Sequence, residues 1–220
     1  MLPVAMITAP RKTNYISLTL ESLFDYGFNN VHVFEEPDKI GLYPNYQHNR
    51  KVLRYYNDRK LGCVHNWLNA LHVMHRQFKG PIIMCEDDFI ILRKFNLSIV
   101  DLVSDFGFIS PYCSKVNEHE FINCWSPPKM PTTGWCGNLF MVLSQNARQK
   151  IIDCVDAFIK YATFQAKEPI HLDYATGKML EGMYNLTHRP SLIYHTGEES
   201  TWTKNNSIKG RTLHSRQPSV

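Results

Sequence analysis

Two apolar runs bracket a stripe of helical spacing near the start of the chain, and few folds accept that order. Val4-Ala5-Met6-Ile7 ends in Thr8-Ala9-Pro10-Arg11, the pattern of a buried strand opening into a loop. Ile16, Leu20 and Leu23 then recur at helical spacing, and Gly27 is placed as a C-cap. Val31-His32-Val33-Phe34 reads as a second strand, running into Glu35-Glu36-Pro37-Asp38. Strand, helix and strand in this succession form a βαβ unit, which implies a parallel sheet with a right-handed crossover. The expected class is therefore α/β, one domain with a mainly parallel central sheet flanked by helices.

The rest of the chain extends that pattern. Residues 38 to 62 are polar and Tyr-rich, with turn signals at Gly41, Pro44 and Gly62. Trp67, Ala70, Leu71, Met74 and Phe78 then mark the clearest amphipathic helix. Gly80-Pro81 stops it, and Pro81-Ile82-Ile83-Met84-Cys85 is expected as a central strand leading straight into Glu86-Asp87-Asp88. Further on, residues 95 to 106 read as a helix, 107 to 110 as a strand, 111 to 137 as loop and 138 to 143 as a strand. Ser144 is placed to N-cap a helix running to about Phe164. A helix over 172 to 180 and an apolar strand, Ser191-Leu192-Ile193-Tyr194, complete the pattern and deliver His195. Ligands of open α/β sheets bind at the carboxyl ends of the strands, where these loops gather.

With 220 residues, 44% of them hydrophobic, the chain can bury one substantial core. No apolar run approaches the roughly 20 residues of a membrane helix. The opening residues read as a core strand rather than a signal peptide, so a cytoplasmic location (host cytoplasm for a viral protein) with reduced thiols is expected. The six cysteines contain no C-x-x-C pair, although Cys113, Cys124 and Cys136 lie in one loop region. Residues 200 to 220 contain Lys204, Lys209, Arg211 and Arg216 and no carboxylate. Setting those four aside from the 24 Lys and Arg leaves the body level with its 20 Asp and Glu. The tail suits either a solvated end or contact with an anionic partner such as diphosphate or nucleic acid.

Glu86-Asp87-Asp88 is the chemically loaded feature. Three consecutive carboxylates after an apolar run repel one another, and a hard divalent cation gives them a reason to coexist. Mg²⁺ or Mn²⁺ bridges carboxylate to diphosphate oxygens and neutralises a departing nucleoside diphosphate. A solvated turn or a helix N-cap is the competing reading.

In their order along the chain, several segments resemble the GT-A glycosyltransferases. These are Thr8-Ala9-Pro10-Arg11, Glu35-Glu36, the stretch from Asn57 to Trp67, Glu86-Asp87-Asp88, Gly134-Trp135-Cys136-Gly137-Asn138, His171-Leu172-Asp173 and the run from Pro190 to Gly197. The resemblance implies a Rossmann-like GT-A domain over residues 1–202, followed by a basic tail over 203–220. It implies that Thr8, Ala9 and Arg11 line a nucleotide pocket, that Glu35 or Glu36 contacts base or ribose, and that Asp88, with Glu86 or Asp87, binds the metal. His195 would be a late metal ligand, consistent with the borderline character of imidazole. Asp173 is the candidate general base, a carboxylate near the acceptor hydroxyl for an inverting transfer, although it also suits a helix N-terminus. Trp135 and Gly137 are placed at the acceptor, and Trp67 is read as packing.

The implied donor is a nucleoside-diphosphate sugar, of UDP type by resemblance. For the acceptor, the small form with His195-Thr196-Gly197 and Ser200-Thr201-Trp202 resembles the viral and bacteriophage GT-A enzymes, associated with base hydroxylases, that glycosylate hydroxymethylated pyrimidines in DNA. The basic tail suits that DNA-modification role. The alternatives are a transferase acting on a surface glycan, lipid-linked sugar or protein, and a non-catalytic nucleotide- or metal-binding module.

Overall fold

A computed structural model describes residues 2–11, 13–38, 52–93, 95, 98–102, 105–113, 124–127, 138–163 and 172–197 of the protein. In chain order its elements are β1 (Val4–Thr8), α1 (Ile16–Tyr26), β2 (Val31–Glu35), β3 (Val52–Tyr56), α2 (Cys63–Gln77), β4 (Ile82–Cys85), β5 (Phe89–Ile91) and α3 (Ile99–Leu102). They continue with β6 (Phe106–Ser110), β7 (Cys124–Ser126), β8 (Phe140–Leu143), α4 (Gln145–Asp153), α5 (Val155–Thr163), α6 (Leu172–Met179), β9 (Tyr184–Arg189) and β10 (Ile193–His195).

The opening βαβ unit forms as its pattern requires. β1 and β2 pair in parallel, from Val4 opposite Val31 to Thr8 opposite Glu35. α1 ends at Gly27, whose φ of 103° is left-handed and costs glycine little. Eight strands make the main sheet in the order β3-β2-β1-β4-β8-β6-β9-β7. β3, β2, β1 and β4 are mutually parallel, and β9 is parallel to β6. Among the described strands of this sheet, only β8 and the edge strand β7 run against the others. The expected class, α/β with a mainly parallel central sheet flanked by helices, is the one observed.

Burial on both faces explains why the central strands read as unbroken apolar runs. Ala5 and Ile7 of β1 join a cluster with α2, α4, α5 and α6. Val4 and Met6, pointing the other way by the two-residue period, join one with α1. Trp67 is buried and stacks on Phe158 at 5.2 Å, as its packing role requires. No described helix is long and apolar enough to cross a membrane.

Two expected helices differ from the pattern. Of the helix expected over 95 to 106, the described residues form only the single turn of α3. The Tyr26 hydroxyl accepts from the Phe95 N–H and donates to the Phe95 carbonyl, and the two rings stack at 4.7 Å. The helix starting at Ser144 does begin there, with the Ser144 hydroxyl accepting from Ala147 N–H at 3.0 Å. It then breaks at Cys154, whose φ and ψ of −118° and 33° leave the helical region, and α5 continues separately.

Candidate functional site

β1 and β4 lie side by side in parallel, with Met6 opposite Cys85, so both leave the sheet at the same edge. Two residues beyond that pair, Thr8 donates its hydroxyl to Asp87 Oδ2. The Arg11 guanidinium donates to Asp87 Oδ1 and, at 3.0 Å, to Asp88 Oδ2. Thr19 of α1 fixes the turn itself: its hydroxyl lies 2.9 Å from the carbonyls of both Asp87 and Phe89 and accepts from the Phe89 N–H at 3.1 Å.

The late histidine arrives through a second, two-stranded sheet. β10 pairs antiparallel with β5, which sets His195 opposite Phe89, directly after the acidic run. The Thr196 N–H donates to the Asp88 carbonyl at 2.8 Å, and His195 Nε2 lies 3.1 Å from Asp88 Oδ2. Gly197 closes over this pair. A Cβ there would overlap Asp88 Oδ2 and stand 2.9 Å from both Asp88 Cγ and His195 Nε2.

The three adjacent carboxylates thus meet three fates. Asp87 is 1% exposed and held by Thr8 and Arg11. Asp88 shares Oδ2 between Arg11 and His195, while its buried Oδ1 has no partner among the described residues. Glu86 is anchored by its backbone, N–H to the Leu139 carbonyl at 3.1 Å, and no described residue hydrogen-bonds its carboxyl.

Their ionisation follows from these surroundings. Burial, then the charges of Asp88 and Asp173, push the Glu86 carboxyl up to about 8. Burial also carries Asp87 up to about 6, with Arg11 opposing it. Burial works against ionising Asp88 too, but His195 and Arg11 together hold it below the usual carboxylate range. Burial opposes charge on His195, and the Asp88 carboxylate more than offsets it, raising the imidazole above its ordinary value.

Asp173, in the first turn of α6, accepts the Asn138 N–H at 2.7 Å through Oδ1. It therefore fastens α6 to the chain entering β8. Glu35 forms a two-pronged pair with Arg54, at 2.6 and 2.9 Å, and the Arg54 guanidinium sits 4.8 Å from the Tyr56 ring centroid. Glu36 accepts the Leu61 and Gly62 N–H groups at 2.8 and 3.1 Å, just before α2. Both carboxylates serve protein contacts. Ala9 is buried in the turn between Thr8 and Arg11. Trp135, Gly137, His171, Cys136 and the tail over 203–220 lie outside the described residues.

Among the described residues no three His, Cys, Asp or Glu side chains gather into a metal cage. Glu86 lies near enough for its charge to act on both Asp88 and His195, although the three do not form such a cage. The pair itself suits a cation. Adjacent ligands of an octahedral ion at about 2.1 Å are about 3 Å apart, close to the Nε2–Oδ2 spacing of 3.1 Å. Asp88 Oδ1 is an orphaned buried oxygen beside it. Mg²⁺ and Mn²⁺ accept one or two protein ligands and take the rest from water and substrate phosphates. Sequence reasoning missed Thr19, Arg54 and Gly197 as parts of this edge. Only Gly197 left a trace, in its place after His195-Thr196.

No protein-family model matches the chain, and no curated protein does. Among solved structures, HddC from Yersinia pseudotuberculosis aligns at 14% identity over 66% of this chain and 78% of that one, with a TM-score of 0.43. The same protein complexed with GMP-PN gives 0.42. The WbbM bifunctional glycosyltransferase aligns at 10% identity over 86% of this chain and 38% of that one, with a TM-score of 0.48.

Proposed function

We propose that the chain is a metal-dependent glycosyltransferase moving a sugar from a nucleoside-diphosphate sugar to a hydroxyl acceptor. One observation carries the reading: Asp88 and His195 meet at the carboxyl edge of the parallel strands, leaving a buried carboxylate oxygen without a partner among the described residues. A structural ion pair would satisfy both oxygens, since an orphaned buried acceptor costs about 1–3 kcal/mol. Ligands of open α/β sheets enter at this edge.

In this reading Asp88 and His195 would hold Mn²⁺ or Mg²⁺, which would supply positive charge to the leaving diphosphate. Arg11, already facing Asp88, adds a second cation within reach of the same phosphates. Thr8, Ala9 and Asp87 form the floor of the nucleotide pocket, and Glu35 and Glu36, buried and engaged by Arg54 and by the Leu61 and Gly62 N–H groups, support its wall. The acceptor oxygen bonds to the anomeric carbon while the bond to the diphosphate breaks, its electron pair leaving with the nucleotide. For an inverting transfer Asp173 takes the acceptor proton.

The acceptor we propose is a hydroxymethylated pyrimidine in DNA, with Trp135 and Gly137 beside it. The support is the ordered motif resemblance and the basic tail from Lys204 to Arg216. The test is to incubate purified protein, Mn²⁺ and a panel of sugar nucleotides with hydroxymethylated DNA, and to weigh the nucleoside product. A hexose or pentose mass increment supports the reading. Nucleotide release that requires a glycan or peptide instead of DNA assigns a different acceptor, and no release with any acceptor rejects the transferase.

A further inference from the structure

Asn138 is 3% exposed, and neither its side-chain oxygen nor its side-chain nitrogen has a hydrogen-bond partner among the described residues. Leaving both ends of a buried carboxamide unpaired is costly, about 1–3 kcal/mol for each group. Native proteins rarely accept that without a ligand, water or ion to satisfy it. The position of the residue indicates which ligand. Its backbone N–H is held by Asp173 Oδ1 at 2.7 Å, and the carbonyl of the next residue, Leu139, accepts the Glu86 N–H at 3.1 Å. Phe140, two residues on, pairs with Cys85 at the end of β4. The backbone at Asn138 therefore links the acidic turn, which would face the diphosphate in the glycosyltransferase reading, to Asp173, the proposed base at the acceptor hydroxyl.

The group that must lie between a departing diphosphate and an attacking hydroxyl is the sugar being transferred. A carboxamide presents one donor and one acceptor face, and neighbouring sugar hydroxyls supply the complement of both. We propose that Asn138 is a specificity-determining residue that reads hydroxyl groups of the donor sugar; this rests on the glycosyltransferase reading above. It makes no contact with the nucleotide in this account. Selection for sugar recognition explains why an amide is kept where an apolar side chain would be more stable.

The test uses the full chain, with Asn138→Leu, which keeps the volume, and Asn138→Ala. Binding is measured by calorimetry for UDP, UDP-glucose, UDP-galactose, UDP-N-acetylglucosamine, GDP and GDP-mannose, alongside thermal melting. Both variants should bind the best wild-type sugar nucleotide about tenfold to a hundredfold more weakly. They should bind the matching nucleoside diphosphate as wild type does, and Asn138→Leu should melt no lower than wild type. Equal loss for the bare diphosphate, unchanged sugar-nucleotide binding, or a lowered melting point of Asn138→Leu would each overturn the assignment and mark a structural amide. If wild type binds none of these ligands, the glycosyltransferase reading itself falls, and this inference with it.

Discussion

His195 Nε2 lies 3.1 Å from Asp88 Oδ2, although 107 residues of chain separate them. The antiparallel pairing of β5 with β10 makes that meeting possible, and the backbone bond from Thr196 to Asp88 locks it. Gly197 then passes so close that a side chain has nowhere to go.

Gly197→Ala should consequently damage the pair directly. The added Cβ must displace the Asp88 carboxylate, and overpacking of this kind costs about 1–3 kcal/mol. A lowered melting point, partly restored in the Asp88→Ala/Gly197→Ala double variant, is the expected result. Additive losses would place the strain elsewhere.

Glu86 gives the metal-free protein a pH signature. Its carboxyl is raised to about 8 from an ordinary 4.5, so the folded state holds a proton that the unfolded chain releases. That contribution is complete below about pH 4.5 and is lost as pH rises to about 8, at no more than about 1.4 kcal/mol per pH unit. Asp87, held near 6, adds the same sign at lower pH. Melting in EDTA should therefore fall between pH 5 and 8, and Glu86→Gln should flatten the slope. An identical slope in the variant would show that Glu86 is ionised throughout.

Asp173 carries a structural and a proposed chemical role, and two substitutions separate them. Asp173→Asn keeps an oxygen for the Asn138 N–H but cannot accept a proton as a base. It should melt near wild type, bind donor normally and lose transfer by about a hundredfold or more. Asp173→Ala should in addition lower the melting point by leaving that N–H unpaired. Full transfer by Asp173→Asn would remove it from the chemistry.

The thiols sort by burial. Cys63, Cys85 and Cys113 are buried, and burial pushes the first two well above the ordinary thiol range. Cys124 and Cys154 are exposed. Brief treatment of native protein with iodoacetamide, followed by peptide mass analysis, should label Cys124 and Cys154 and spare Cys63 and Cys85. Labelling of Cys85 at a comparable rate would mean that β4 opens readily.

Much of this fold was legible because its central strands are buried on both faces and carry strong local signals. The apolar runs at β1, β2, β4 and β8 and the stripe of α2 each announced themselves. Strands that owe their state to a neighbour did not. Tyr184–Arg189 has Leu186 as its one aliphatic residue and becomes β9 by pairing with β6, and the edge strand β7 forms against β9. The site followed the same rule. Asp88 and His195 were found through their chemistry and their places after strands. The capture of Glu35 by Arg54 depends on the pairing of β2 with β3, which no local pattern encodes. The different bonding of Glu86 and Asp88 is equally hidden: Asp88 bonds Arg11 and His195, whereas no described residue bonds the Glu86 carboxyl.

If Asp88 and His195 hold a divalent cation for a nucleoside-diphosphate donor, calorimetric titration of Mn²⁺ into wild type, Asp88→Ala and His195→Ala, each with the bound nucleoside diphosphate of its best donor, will show it. Wild type should bind one Mn²⁺, and each variant should bind it at least about tenfold more weakly while melting as a folded protein. Mn²⁺ binding of equal strength in all three would mean that Asp88 serves Arg11 and His195 as an ion-pair partner and holds no metal.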